Sequence, residues 1–323
     1  MRRRAVTLFC AYLLLGIISS AVPAYSQQQS ARAIKVIVPY PPGGGADVLV
    51  RILINQVGAM GGPTMVVENH PGAGTVIGTM DAVRAAPDGN TLLLTNNALL
   101  LAPHLRKVDY DPFASLDSIC QVGSSPTISI VNSASPYRSL NDLIDAARAK
   151  PGALTFGAGI GALSQVTYEM LMHRAGFRMT LVPYTGTLPE VEAVFAGHID
   201  TAFVDYPAAA GLYQSGKLRA LATSSASRIA WLPDVPTVSE IGYKDFEVEL
   251  WYGLFAPAGT PHDIESRLAT WFSKAAQVPE VRSRLAAQGI EPAAVCGAPF
   301  ASYLHRRFDD YGKVIREAKI KAE

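Results

Sequence analysis

The sequence predicts an α/β protein of two domains, and three observations support this fold class. Short apolar runs alternate along the chain with segments of helical spacing. Three glycine-rich loops, at 39–47, 69–78 and 157–165, each follow a predicted strand and open a helix. Removal of the leader described next leaves roughly 297 residues, enough for two domains of about 100–200 residues each.

The N-terminal segment has the composition of a secretory signal peptide. Arginines occupy positions 2–4, the stretch 5–18 is almost wholly apolar, and 24–26 provides small residues before cleavage at Gln27. The apolar stretch is short for a membrane span, and Cys10 lies too near its start for lipid attachment. We therefore predict that residues 1–26 are a cleaved leader and that the mature chain is exported.

Charge and cysteine content restrict the classes of partner. The formal net charge of +1 falls to about −2 when the leader is removed, and no basic run remains. This argues against nucleic acid or an anionic membrane surface, so a bound anion would be held by backbone and hydroxyl donors. Cys120 and Cys296 remain after cleavage, without diagnostic spacing, and both a disulfide and two buried free thiols stay open.

Periodicity then assigns the elements in order. The first strand (34–40) carries Ile34, Val36 and Val38 on one face, breaks at a Pro-Pro-Gly-Gly-Gly loop, and leads to a helix near Asp47. Further strands are predicted at 64–69, 91–96, 127–132, 154–159, 181–186, 201–206, 218–224 and 251–257. Helices are predicted at 139–149, 165–175, 188–196, 264–277 and 299–317.

No flexible linker separates the two halves, so we expect domains joined by crossing strands near 124–131 and 246–256. This places a discontinuous domain 1 at 27–126 and 249–323, and domain 2 at 127–248. In such sheets, ligands bind at the carboxyl ends of the strands, where the glycine-rich loops lie.

The loops offer backbone N–H groups at helix starts, which favour an anion, although glycine after a strand is also ordinary turn chemistry. Four polar residues near strand ends carry two interpretations each. Asp47 either caps its helix or contacts a ligand, and Asp205 is either a hinge acid or a ligand contact. Asn96 and Asn97 either form a turn or present their amides to a carboxylate.

Catalytic signatures are absent from the sequence. No G-x-S-x-G motif occurs, and the six histidines lie far apart without metal-ligand spacing. We therefore expect no metal or organic cofactor, and an exported enzyme is the least favoured class.

Seven motifs in order carry a resemblance to a known family. They are 39–51 (PYPPGGGADVLVR), 66–74 (VVENHPGAG), 85–94 (AAPDGNTLLL), 182–186 (VPYTG), 216–225 (GKLRALATSS), 232–242 (LPDVPTVSEIG) and 251–261 (WYGLFAPAGTP). Over nearly the whole mature chain, the sequence resembles the receptors of tripartite tricarboxylate transporters, the Bug-type periplasmic binding proteins. The resemblance implies a type II periplasmic-binding-protein fold, with two α/β domains around a ligand cleft.

The same resemblance implies a monomeric periplasmic receptor that binds a small mono- or dicarboxylate, an aromatic acid or an amino-acid-like solute, and presents it to a membrane permease. A ligand-presenting role toward a periplasmic sensor kinase remains the alternative. The implied binding residues lie in the first loop, the second loop and the nearby domain 2 segments, together with the polar candidates above: Tyr40, Pro42, Gly43, Gly44, Gly45, Asp47, Asn96, Asn97, Gly159, Gly161, Ala162, Leu163, Ser164, Tyr184, Thr185 and Asp205.

Two departures from the family pattern bear on the ligand. In the second loop, Ala162 stands where the family usually has a hydroxyl, and Gln165 stands where it commonly has histidine. A hydroxyl donor is therefore lost unless Ser164 replaces it. In the 69–78 loop, Thr75 and Val76 replace the usual glycine and asparagine.

Overall fold

The computed structural model describes residues 33–320, so the predicted leader lies outside the described residues. Its strands are β1 Ile34–Val38, β2 Met65–Asn69, β3 Thr91–Asn96, β4 Leu116–Ser125, β5 Thr127–Asn132, β6 Thr155–Ala158, β7 Thr180–Pro183, β8 Thr201–Asp205, β9 Leu218–Thr223, β10 Leu250–Pro257 and β11 Glu291–Cys296. Its α-helices are α1 Gly45–Ala59, α2 Val76–Val83, α3 Ala98–Leu105, α4 Leu140–Ala149, α5 Leu163–Ala175, α6 Thr187–Ala196, α7 Tyr206–Gln214, α8 His262–Gln277, α9 Pro279–Ala286 and α10 Ala298–Glu317. A 3₁₀ turn, Ala73–Thr75, precedes α2.

The strands form two mixed sheets, and each sheet with its helices makes one α/β domain, as the sequence predicts. A 6-stranded sheet has the order β11-β4-β10-β3-β1-β2, and a 5-stranded sheet has the order β7-β6-β8-β5-β9. In the first, β1 runs parallel to β2 and β3, and β10 runs antiparallel to β3 and β4. In the second, β6 runs parallel to β7 and β8, whereas β5 runs antiparallel to β8 and β9.

The chain crosses between the sheets twice. It leaves the first sheet at Ser125 and enters the second at Thr127, with one proline between them, and it re-enters the first sheet at Leu250. We call residues 33–125 and 250–320 lobe 1, and residues 127–249 lobe 2. The domain limits given by the sequence lie at these crossings and stay a prediction.

Each lobe packs helices on both faces of its sheet. In lobe 1, Leu53 and Val57 of α1 pack on one face with Phe272 of α8, and the opposite face buries Trp251 and Phe300. Lobe 2 is built similarly around Phe156, Tyr168 and Phe203 on one face of its sheet and around Ile130 and Val204 on the other. Val166 of α5, a lobe 2 residue, is fully buried in a core cluster of lobe 1, so the lobes share packed apolar surface.

Cys120 and Cys296 form a disulfide bond, which resolves the choice that the sequence leaves open. The two residues lie opposite each other in the antiparallel pair β4–β11. The sequence does not predict either strand. The β11 segment EPAAVC has a single β-branched residue, Val295, and β4 (LDSICQVGSS) mixes polar and small residues without clear alternation. Their pairing in the sheet therefore comes from tertiary contacts.

Among the described residues, no helix combines the length and apolarity needed to cross a bilayer.

Candidate functional site

Two adjoining cavities lie between the lobes. One has a volume of about 460 Å³ and the other of about 570 Å³, and both are lined in part by Asn96, Asp205 and Leu250. The first is bounded by the 159–164 loop and α6 of lobe 2 and by α3 of lobe 1. The second is bounded by the 40–46 loop and by Tyr252. Both volumes suit a small organic solute.

Five helices begin at the walls of these cavities. The N-cap residues of α1, α3, α5, α6 and α7 all line one cavity or both: Gly44, Asn97, Ala162, Gly186 and Asp205. None of these N-cap side chains accepts a hydrogen bond from its own helix. Because the first N–H groups of a helix lack intrahelical partners and carry its positive dipole end, the cleft attracts negative charge.

Within the first loop, the structure separates Asp47 from the other predicted binding residues. Tyr40, Pro42 and the three glycines Gly43, Gly44 and Gly45 line the second cavity, but Asp47 lines neither. Its side chain is 3% exposed and accepts hydrogen bonds from the Gly43 N–H, from Arg51 and from Asn69 Nδ2, each at 3.0 Å. Although burial opposes it, these hydrogen bonds lower the pKa of Asp47. Asp47 therefore fixes the loop, and its contact with a ligand stays a prediction. The N-cap is Gly44.

The second loop brings its predicted residues onto the first cavity. Gly159, Gly161, Ala162, Leu163 and Ser164 line it, together with Tyr184 and Thr185. Gln165 lines neither cavity, and its Oε1 accepts a hydrogen bond from the Gly161 N–H at 2.8 Å. This bond holds the turn, in which Gly161 has a positive φ of 71°. A Cβ at Gly161 would lie 2.8 Å from Cδ1 of Leu105 in lobe 1, so the two lobes approach closely here.

The two asparagines after β3 have different roles. Asn97 is 1% exposed, and its Nδ2 donates to the backbone carbonyl of Glu249 at 3.0 Å and to the Tyr311 hydroxyl at 2.8 Å. Its Oδ1 accepts from the Trp251 N–H at 3.1 Å. Both N–H groups of the Asn97 amide are therefore used within the protein, and its contact with a ligand stays a prediction. Asn96 uses its Oδ1 for the Ala98 N–H at 3.0 Å, and its side chain also hydrogen-bonds to the Tyr40 hydroxyl.

Two acids line the first cavity, and the sequence analysis predicts only one of them. Burial raises the pKa of Asp205, although a hydrogen bond from the Thr187 hydroxyl opposes the shift. Glu190 is 2% exposed in the first turn of α6. Burial raises its pKa to about 7, the Gly159 N–H opposes this, and the negative charge of Asp205 adds to it. The pattern Thr187-x-x-Glu190 resembles a capping box, which would place the acid at a solvated helix start, so sequence reasoning misses it.

Arg106 and Tyr252 are two further cleft residues that the sequence does not predict. Arg106 is the one basic side chain among the residues that line the two cavities, and it is exposed. Its Nη1 donates to the Ala73 carbonyl at 3.4 Å. Tyr252 lines the second cavity, and burial raises the pKa of its hydroxyl, with Asp205 and Tyr40 adding to the shift. Arg106 lies in none of the seven motifs, and Tyr252 lies in the 251–261 motif, which by itself assigns it no role.

Across residues 33–320, the His, Cys, Asp and Glu side chains form no group of three that would hold a metal ion.

A comparison with protein-family models identifies the chain. The model described as "Tripartite tricarboxylate transporter family receptor" matches residues 49–320. The chain belongs to this family. Protein BugT of Bordetella pertussis is 33% identical to this receptor over 307 residues, covering 93% of this chain and 94% of BugT.

Solved structures agree with the family and with the fold. The periplasmic binding protein BugD is 29% identical with a TM-score of 0.72, covering 90% of this receptor and 99% of BugD. An R. palustris protein solved with adipate is 26% identical with a TM-score of 0.75, and the match covers 90% of this receptor and 98% of that protein. MatC from Rhodopseudomonas palustris with bound malate is 27% identical with a TM-score of 0.71, and the match covers 88% of this receptor and 99% of MatC. The type II periplasmic-binding-protein fold predicted from the resemblance is therefore confirmed.

Proposed function

We propose that this receptor is exported to the periplasm, binds a small carboxylate between its lobes, and delivers it to the membrane components of a tripartite tricarboxylate-type transporter. One observation carries the proposal. Five helices begin at the walls of one cleft, and no side chain caps α1, α5 or α6, so the first-turn N–H groups of these three helices are available to an anion.

The cleft can stabilise an anion without a cationic patch. Several aligned amides and helix dipoles stabilise a carboxylate in a partly desolvated cavity, where each hydrogen bond to the charge contributes about 1.5–3 kcal/mol. Arg106 adds one positive charge at the wall. Asn96 Nδ2, Ser164 and Tyr252 add neutral donors that discriminate between ligands by geometry.

The malate and adipate named with two relatives support a carboxylate as the ligand class. A cleft that binds and releases its ligand unchanged needs no nucleophile–base pair, and the groups on its walls are donors and acids without a histidine. We propose accordingly that the receptor does not transform its ligand.

A thermal-shift screen of unfolded and refolded receptor tests the ligand class. The panel contains malate, succinate, adipate, benzoate, nicotinate and the common amino acids, with the corresponding amides and alcohols as uncharged controls. A ligand at about 100 times its Kd adds about 2.7 kcal/mol of stability, which raises Tm by several degrees. We expect carboxylates to raise Tm and their uncharged analogues to have no effect. Equal shifts with acids and amides, or none with any carboxylate, would contradict the proposal. Mass spectrometry of the recovered ligand checks that it is unchanged.

A further inference from the structure

Glu190 is a buried acid in a cleft whose helix starts favour anions. The residue is 2% exposed and lines the first cavity. Within the described residues, Glu190 Oε2 is buried without a hydrogen-bond partner. A buried carboxylate oxygen of this kind costs free energy unless a donor or a cation reaches it.

Residues 33–320 supply no cation to this oxygen. Arg106 is the one basic residue on the cavity walls that the structure describes, and it lies exposed on lobe 1, where its Nη1 donates to the Ala73 carbonyl. The nearest charge that affects Glu190 is another acid, Asp205 at the end of β8, which raises its pKa further after burial. The Asp205 carboxylate has its own donor in the Thr187 hydroxyl.

A ligand nitrogen would complete this arrangement. An ammonium group carries three N–H donors and a positive charge, which suits two acids on one cavity wall. Asp205 also lines the second cavity, beside the start of α1 at Gly44 and Gly45. A solute that holds its carboxylate at the helix starts and its nitrogen at Glu190 would therefore bridge the two kinds of group.

We propose that Glu190, together with Asp205, forms a subsite for a cationic nitrogen, so that the receptor selects an amino-carboxylate over the same acid without the amine. This inference rests on the proposed function, because the helix starts are taken to bind the carboxylate end.

The test compares matched pairs of solutes by titration calorimetry. The pairs are succinate with aspartate, adipate with 2-aminoadipate, and butyrate with 4-aminobutyrate, and putrescine serves as an amine without a carboxylate. The variants are Glu190→Gln and Asp205→Asn, with Glu192→Gln as control, because Glu192 lies on the same helix but is exposed. Glutamine keeps an acceptor for the Gly159 N–H, so Glu190→Gln preserves the loop contact while removing the charge.

We expect one aminated member to bind at least about tenfold more tightly than its partner acid, the range for a hydrogen bond to a charged group. Glu190→Gln should remove most of this preference, Asp205→Asn should reduce it, and Glu192→Gln should leave it unchanged. If the acids bind but the amine adds nothing, or if the preference survives in Glu190→Gln, the subsite is refuted and the carboxylate function stands. If only putrescine binds, the carboxylate function fails and the acidic subsite stands. Binding of none of these solutes would refute both.

Discussion

The Asn97 side chain donates a hydrogen bond to the backbone carbonyl of Glu249, 3.0 Å away, and so joins the end of β3 to the end of the second crossing. The same amide accepts from the Trp251 N–H, and this second contact is buried. An asparagine beside the cleft thus ties β3 to the second crossing between the lobes.

Replacement of Asn97 by alanine should destabilise the fold. It removes the partners of the Glu249 carbonyl, the Trp251 N–H and the Tyr311 hydroxyl, and buried polar groups without partners cost about 1–3 kcal/mol each. We expect the free energy of unfolding to fall by about 2–4 kcal/mol in urea denaturation. An unchanged urea midpoint would show that these contacts do not stabilise the fold.

Asn96→Asp should weaken ligand binding and leave the stability of the fold almost unchanged. The aspartate retains an acceptor for the Ala98 N–H, so stability should change by less than about 1 kcal/mol. The variant replaces the Nδ2 donor with a negative charge on a residue that lines both cavities. Carboxylate affinity should therefore fall at least about tenfold in calorimetry. Affinity equal to the wild type would remove Asn96 from the site.

Gly44→Val should abolish binding while the fold persists. Gly44 has φ −75°, and a Cβ there would meet only the Pro41 carbonyl at 3.7 Å, so valine is accommodated. Its side chain would block close approach of the ligand to the start of α1. Gly58→Val on the same helix is the control, since nothing lies within 4 Å of its Cβ position. Tight carboxylate binding by Gly44→Val would exclude the first loop from the site.

Glu190→Gln should change how stability depends on pH. Burial and then the charge of Asp205 raise the Glu190 pKa in the folded state from 4.5 to about 7. The folded state therefore retains a proton that the unfolded state has lost, and stability falls as pH rises from about 4.5 to about 7. Because one pKa unit corresponds to about 1.4 kcal/mol, the free energy of unfolding falls by about 3 kcal/mol over this range. Without ligand, the variant should be more stable than wild type at pH 8 by this order. Their Tm difference should shrink toward pH 4.5. Parallel Tm–pH curves would contradict the raised pKa.

The double variant Cys120→Ala with Cys296→Ala should unfold at a lower temperature and bind ligand normally. The disulfide joins residues 176 positions apart, and neither cysteine lines the cleft. Loss of such a link costs about 2–5 kcal/mol. Calorimetry of the wild type with and without reductant checks this, because the reduced wild type should match the variant. If reductant leaves the wild-type Tm unchanged, the bond does not stabilise the protein.

Local chemistry explains why much of the fold was predictable. Runs such as Ile34–Val38 and Thr201–Asp205 alternate or concentrate apolar residues strongly enough to be read as strands. Ser139 gives an equally local signal, since its side chain accepts from the Asp142 N–H at 3.2 Å, as an N-cap should. By contrast, β11 forms only because β4 pairs with it across the sheet.

For the binding site, the sequence by itself determined which loops face the cleft. A glycine-rich turn between a strand and a helix must lie at the carboxyl edge of its sheet, and the loops at Gly43–Gly45 and Gly159–Gly161 do so. The role of each side chain depended on tertiary structure. Glu190 and Glu192 stand two positions apart on one helix, yet one is buried in the cleft and the other is exposed. Burial, and with it the charge state of a carboxylate, is set by what packs around it, and residues distant in the sequence supply that packing.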